Sequence, residues 1–335
     1  MQLQGALSEA ELTRLGRETG FVERLREVTP FRLAVATIGA MACRTVETIA
    51  DVQRAFRAVT GRAVEYKPFH NQLAKDAFPV FMSAVFEKLL ACLALKTLAP
   101  VPGHALRRFE DIVIQDGSSF AIHDALQSVF PGRFTATNPA AVEVHATLSV
   151  FGGQPLRVVI APDSQAERDF LPRPEELRNK LFLADRGYMD RAYCVEMEAA
   201  GASYIVRFTK SANPIITAGT VGARQLQQTL VGRTVKDCAK HLRKRSADLD
   251  VVWNLGGTPH AFRLVLIWSA QTSDHMLLIT NLPREQFDAK SVGCLYQLRW
   301  QVELLFKEWK SYANLRPYCT RKAAIAEGLI WAALC

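Results

Sequence analysis

The residues with the densest chemistry lie between Tyr296 and Lys310. Apolar spacing predicts one helix from about Ser291 to Tyr312. Turned at about 100° per residue, Tyr296, Arg299, Glu303, Lys307 and Lys310 share one stripe roughly 80° wide. Leu298, Val302, Leu305, Phe306 and Trp309 form the adjacent apolar face, which a core would cover. The polar stripe has two readings. It is either an ordinary solvated face with Arg299 and Glu303 as an i,i+4 ion pair, or a carboxylate displayed among cations for a polyanionic ligand. Two more acids close short apolar stretches. Asp116 follows Ile112-Val113-Ile114-Gln115, and Asp185 follows Leu181-Phe182-Leu183-Ala184. Asp124, Asp163 and Asp169 are rivals to Asp116, while His123 and His145 read as structural. Ser118 stands in Gln-Asp-Gly-Ser, which is not a nucleophile elbow.

Tyr296, Arg299, Glu303 and Lys310 are similar, at all four positions, to the YxxRxxxExxxxxxK signature of bacterial insertion-sequence transposases of the DDE class, the IS-four family. Ile114-Gln115-Asp116-Gly117-Ser118 resembles that family's first-aspartate strand. Leu183-Ala184-Asp185-Arg186-Gly187-Tyr188 resembles its second-aspartate motif, and the hairpin from His145 to Leu156 is also similar. The resemblance covers about residues 105–320. It implies an α/β fold: a ribonuclease-H-like mixed-sheet core with a β-rich insertion before the last acid. It also implies that Asp116, Asp185 and Glu303 are catalytic and hold two Mg²⁺ ions, for which Mn²⁺ can substitute.

Such a site fits phosphodiester cleavage. Two ions about 4 Å apart generate the attacking oxygen and neutralise charge at phosphorus, so no protein base is required. By the same resemblance Arg299 contacts the phosphate of the cleaved strand. Tyr296 contacts a nearby phosphate, and Lys307 and Lys310 contact the DNA backbone. The implied partners are double-stranded DNA, as terminal inverted repeats and target, and a second copy in a synaptic homodimer. The implied location is the bacterial cytoplasm, on the nucleoid when DNA is bound. Family relatives release flanking DNA through a hairpin with a flipped base. Trp253 and Trp268 are candidates to receive it, although a Trp in a hairpin is more often core. The rival readings are a truncated DNA-binding inhibitor of transposition and a ribonuclease-H-like nuclease without strand transfer. The apolar run from Leu329 to Cys335 ends the sequence where family members usually continue with helix that helps dimer assembly.

The elements that must position these residues are legible in outline. Residues 1–103 read as an all-helical domain, either a plain helical bundle or a small DNA-binding domain. Ser8-Glu9-Ala10-Glu11 starts its first helix in a capping-box-like pattern. A pattern from Arg32 to Val59 is interrupted near Gly39 and stopped by Thr60-Gly61. Phe69 to Leu98 supplies one or two more helices. Residues Val52–Phe56 and His70–Leu73 resemble helix, turn, helix. Pro and Gly between Ala99 and His104 mark a boundary, and 104–335 read as the catalytic domain. There, strands are expected at Asp111–Asp116, Val142–Val150, Leu156–Ala161, Leu181–Asp185 and Ser203–Phe208. A polar helix is expected around Pro174-Glu175-Glu176, and another from Arg191 to a stop at Gly201. Residues 210–275 read as the β insertion, with a hairpin turning at Gly256-Gly257.

Composition narrows the partners. The 335 residues are 49% hydrophobic and 22% charged, which excludes disordered and coiled-coil classes. The longest apolar stretch, Phe78 to Leu95, is broken by Glu87 and Lys88, so no membrane span or membrane partner is expected. The first residues lack the basic and apolar regions of a secretory signal. The net charge of +8 suits a polyanion. It is concentrated in Arg233–Arg245, with six basic residues against Asp237, and in Arg284–Lys322, with eight against four acids. Seven scattered cysteines show no zinc spacing and read as reduced core thiols.

Overall fold

The computed structural model describes residues 8–43, 46–91, 104–209, 213–242, 244–312 and 320–335. Among the described residues five helices come first: α1 (Glu9–Glu18), α2 (Pro30–Ala42), α3 (Ile49–Thr60), α4 (Tyr66–Leu73) and α5 (Ala77–Leu90). Their ends follow local chemistry. The Ser8 and Thr29 hydroxyls accept from the backbones of Glu11 and Arg32. Thr48 and Asp51 form a capping box, and Gly61 stops α3 at φ +66°. The interruption expected near Gly39 falls a few residues later, between the end of α2 at Ala42 and the start of α3 at Ile49. Gly39 lies inside α2, whose cap is Cys43. A lone Gly costs a helix only about 1 kcal/mol, less than the burial of Leu33, Ala36, Ala40 and Met41 recovers. Most of the Pro/Gly boundary before His104 falls outside the described residues.

Ten strands then build one sheet: β1 (Ile112–Ala121), β2 (Ala141–Ser149), β3 (Gln154–Pro162), β4 (Leu181–Ala184), β5 (Ser203–Arg207), β6 (Ile215–Val221), β7 (Arg224–Gln225), β8 (Ala247–Leu255), β9 (Thr258–Ser269) and β10 (Asp274–Thr280). Between β4 and β5 runs α6 (Arg191–Ala199), and the single turn α7 (Ala239–Leu242) precedes β8. The strand order is β3-β2-β1-β4-β5-β10-β9-β8-β6-β7. β1 to β3 form an antiparallel meander, and β4 and β5 continue it parallel to β1. This is the ribonuclease-H-like order. The inserted strands extend the same sheet, because β10 pairs antiparallel with β5.

Two expectations need correction. β1 does not end at Asp116 but pairs with β2 as far as Ala121. The acid is therefore mid-strand, held by a ladder that no local pattern reveals. The polar helix at Pro174 is only a 3₁₀ turn, Pro174–Leu177. β2 alternates apolar and polar residues, yet all nine are buried. Its polar face is covered by protein instead of water.

The chain closes with α8 (Ala289–Gln297), α9 (Trp300–Tyr312) and α10 (Ala323–Leu334). One sheet face carries a continuous apolar cluster that includes Leu12, Phe56, Phe81, Ile114, Val144, Val302 and Ile330. The α10 helix packs on α5 and α2, with Trp331 against Phe86 at 5.3 Å between ring centres. The other face buries Phe182, Tyr204, Leu249 and Leu264. Cys194 and Cys238 are buried, as expected of core thiols, whereas Cys43 and Cys294 are exposed. Among the described residues no helix is long and apolar enough to cross a membrane.

Candidate active site

Parallel pairing of β1 with β4 sets Gln115 beside Ala184. Asp116 and Asp185 are the next residues on each strand, so register alone makes them neighbours. Pairing of β4 with β5 sets Ala184 beside Val206, which puts Arg207 level with Asp185. Arg207 was missed in the sequence. Its signal was a cation ending the third parallel strand.

The expected helix from Ser291 to Tyr312 is two helices. At the joint the amides of Leu298, Arg299, Gln301 and Val302 bond to carbonyls three residues back. That 3₁₀-type tightening redirects the chain. A single helical wheel through Tyr296 and Lys310 therefore does not hold. Tyr296 belongs to α8 and Arg299 to the joint. Glu303, Lys307 and Lys310 belong to α9. The joint turns Arg299 inward, where it is 6% exposed. It also leaves Trp300 and Leu304 outside, each 62% exposed.

The sequence-predicted residues other than Tyr296 meet at one cleft of 420 Å³, lined by Asp116, Asp185, Arg299, Glu303, Lys307 and Lys310 together with Gly117, Ser118 and Phe306. Arg299 donates to Asp116 Oδ2 at 2.7 Å and to Glu303 Oε1 at 2.6 Å. The first of these contacts spans 183 positions of sequence. The Tyr296 hydroxyl donates to Asp185 Oδ1 at 3.1 Å, and Arg207 reaches the same oxygen at 3.5 Å. Lys307 is exposed, and Lys310 donates to the Ser119 carbonyl at 3.0 Å.

Burial pushes the Asp116 carboxyl up to about 6, against the pull of Arg299. Burial also raises Asp185, but the Arg186 amide and the cations Arg299 and Arg207 outweigh it and hold that carboxyl below its ordinary value. Among the described residues no three acidic, His or Cys side chains gather closely enough to hold an ion as they stand. The Arg299 guanidinium joins Asp116 to Glu303 instead. The donor set is nevertheless all-carboxylate and open to solvent, which suits a hard divalent cation.

The weaker candidates lie elsewhere. Trp253 is buried against Phe208 and Phe262, at 4.7 and 5.6 Å between ring centres. Trp268 packs on His275 at 4.9 Å. Asp124 and Asp169 are exposed on short turns. Asp163 is buried, bound to Ser119 and Arg133.

Residues 107–335 match the family described as Transposase DDE domain. The chain belongs to the DDE transposase family. It is thus an enzyme that acts on DNA, of the insertion-sequence kind. It is 22% identical over 356 residues to the transposase for insertion sequence element IS231C of Bacillus thuringiensis subsp. berliner, across 96% of this chain and 74% of that protein. It is 23% identical over 349 residues to the IS231F transposase of Bacillus thuringiensis subsp. israelensis, across 94% and 73%. The transposase for element IS421 of Escherichia coli is 26% identical over 196 residues, half of this chain and 52% of that protein.

Proposed function

We propose that the chain binds the terminal inverted repeats of an insertion sequence, cleaves the DNA with Mg²⁺ or Mn²⁺, and joins the freed 3′-hydroxyl to target DNA. The observation that carries this reading is the single cleft lined by Asp116, Asp185, Glu303, Arg299, Lys307 and Lys310. The three carboxylates would hold two divalent ions. When bound, the ions supply activation of the attacking oxygen and neutralisation of charge at phosphorus.

The chain's own residues do the rest. Arg299 presents a rigid fork that matches two phosphate oxygens as well as it matches two carboxylates. On substrate entry it exchanges part of its hold on Asp116 and Glu303 for the phosphate of the cleaved strand. Tyr296 orients Asp185 through its hydroxyl and lies beside the same phosphate path. Lys307 and Lys310 hold the backbone as point charges. The helices within residues 1–103 recognise the repeats, residues 104–335 carry out the chemistry, and two copies pair the ends.

Asp185→Asn tests the reading. The amide keeps the shape and loses the charge that holds an ion. Metal-dependent nicking of repeat DNA is expected to vanish while repeat binding stays within about two-fold. Nicking at the wild-type rate would remove the metal assignment. A strand-transfer assay on pre-cleaved ends separates a transposase from a nuclease of the same fold. Repeat binding without any cleavage by wild type would mark an inhibitor.

A further inference from the structure

The buried polar face of β2 has no part in the site just described. Burying such groups costs free energy unless each finds a partner. Thr147 donates to Gln115 Oε1 at 2.5 Å. His145 stacks on Phe170 at 3.9 Å, and its Nδ1 lies 2.8 Å from the Tyr188 hydroxyl. The imidazole tautomer sets which of these two atoms carries the shared proton. Burial holds the imidazole neutral, its value pushed down to about 4. Nε2 is buried with no hydrogen-bond partner, and Glu143 Oε2 is 3.8 Å away. Glu143 accepts from Arg133 at 3.1 Å, and Arg133 also holds Glu167 at 3.1 Å.

This network touches the backbone beside both aspartates. Gly117 follows Asp116. A Cβ there would sit 2.5 Å from Glu143 Oε1, 2.8 Å from the Tyr188 hydroxyl and 3.1 Å from His145 Nδ1. Gly187 lies two residues after Asp185, and a Cβ there would collide with the Glu167 carboxylate. Tyr188 itself ends the 3₁₀ turn that Asp185 starts. Network groups thus press on β1 next to one acid and on the turn next to the other. Ser119, whose carbonyl takes Lys310, donates its hydroxyl to Asp163 in the same network at 2.5 Å.

We infer that the Tyr188–His145 pair, backed by Glu143, is a positioning device that sets the Asp185 turn against the Asp116 strand. The inference rests on the proposed metal-dependent reading of the cleft. Hydrogen bonds are directional where apolar packing is not, and a metal site needs its ligands held to within about 0.5 Å. Groups that orient ligands in this way typically contribute about 10–100-fold to metal affinity. None of these residues touches substrate.

The test uses the whole chain and Mn²⁺ alone. Binding is read from the free-ion paramagnetic resonance signal and from the Mn²⁺-induced rise in Tm. Tyr188→Phe is expected to weaken Mn²⁺ binding about ten-fold and to lower the metal-free Tm only by the few degrees that one unpartnered buried nitrogen costs. His145→Asn keeps a polar atom at the Nδ1 position and should stay within about three-fold of wild type. His145→Gln matches Nε2 instead and should lose as much as Tyr188→Phe. Wild-type Mn²⁺ affinity in Tyr188→Phe overturns the inference. So does equal behaviour of the Asn and Gln variants, which would reduce His145 to packing. Asp185→Asn runs alongside. If it loses the Mn²⁺ response while Tyr188→Phe keeps it, only this inference fails. If Asp185→Asn keeps the response, the metal reading of the cleft falls, and this inference with it.

Discussion

Replacing Arg299 by Met would strand two carboxylates. Arg299 is buried and pairs with Asp116 and Glu303 at 2.7 and 2.6 Å. Removing one partner of a buried ion pair costs about 3–5 kcal/mol, mainly because the other charge is left uncompensated. The Glu303 side chain is 42% exposed, so water screens its share. Asp116, at 14%, bears most of the cost. The lower end, about 3 kcal/mol, is therefore expected without metal, or roughly 5 °C in Tm for a chain of this size. Mg²⁺ restores positive charge among the same acids, so Arg299→Met should gain more Tm from Mg²⁺ than wild type does. Arg299→Lys keeps the charge but loses the fork and should fall between the two. Thermal unfolding of all three proteins, with chelator and with Mg²⁺, is the assay. A metal-free Tm for Arg299→Met equal to wild type would refute the counter-charge role. A smaller Mg²⁺ gain in the variant would refute the shared location of the ion and the guanidinium.

Other outcomes follow from other contacts. Burial and Glu167 push the Glu143 carboxyl up to about 7 from an ordinary 4.5. Between those values the folded state binds more protons than the unfolded one, so stability falls as pH rises. Wild type should lose on the order of 3 kcal/mol relative to Glu143→Gln from pH 4.5 to 7; denaturation of both at pH 5 and pH 8 shows whether the gap moves. A Cβ on Gly328 in α10 would strike the Phe78 ring, whereas one on Gly39 in α2 meets nothing within 4 Å. Gly328→Ala should therefore destabilise by about 1–3 kcal/mol and Gly39→Ala stabilise by about 0.5–1 kcal/mol, read by urea unfolding. Arg233, Lys236, Lys244 and Arg245 are exposed. Reversing all four should flatten the salt dependence of DNA binding by about 0.9 log unit per lost phosphate contact; an unchanged slope would make this patch plain solvated surface.

Much of the fold and site was legible without coordinates, because the signals were local. A cap at Ser8, a stop at Gly61 and apolar runs closing in Asp116 and Asp185 are written in a few adjacent residues. The order of acids and the Tyr296-to-Lys310 spacing marked the candidate site through their resemblance to the family signature; spacing alone left an ordinary solvated face equally open. What local patterns could not carry was decided by partners far away in sequence. The Asp116–Asp185 adjacency comes from the register of β1 on β4. β2 alternates apolar and polar residues, yet its polar face is buried under Tyr188, Phe170 and Arg133. Periodicity ran one helix through Leu298 and Arg299. The 3₁₀ joint there swings Arg299 between two acids and sends Tyr296 to a third. α10, apolar but for Glu327, shows its need for burial in its composition. That it is buried on α2 and α5, at the other end of the chain, is a matter of packing shape, with Gly328 against Phe78. A sequence states which side chains must leave water or meet an opposite charge. Which partners they meet depends on free energies summed over the whole chain, and these exist only once the chain has folded.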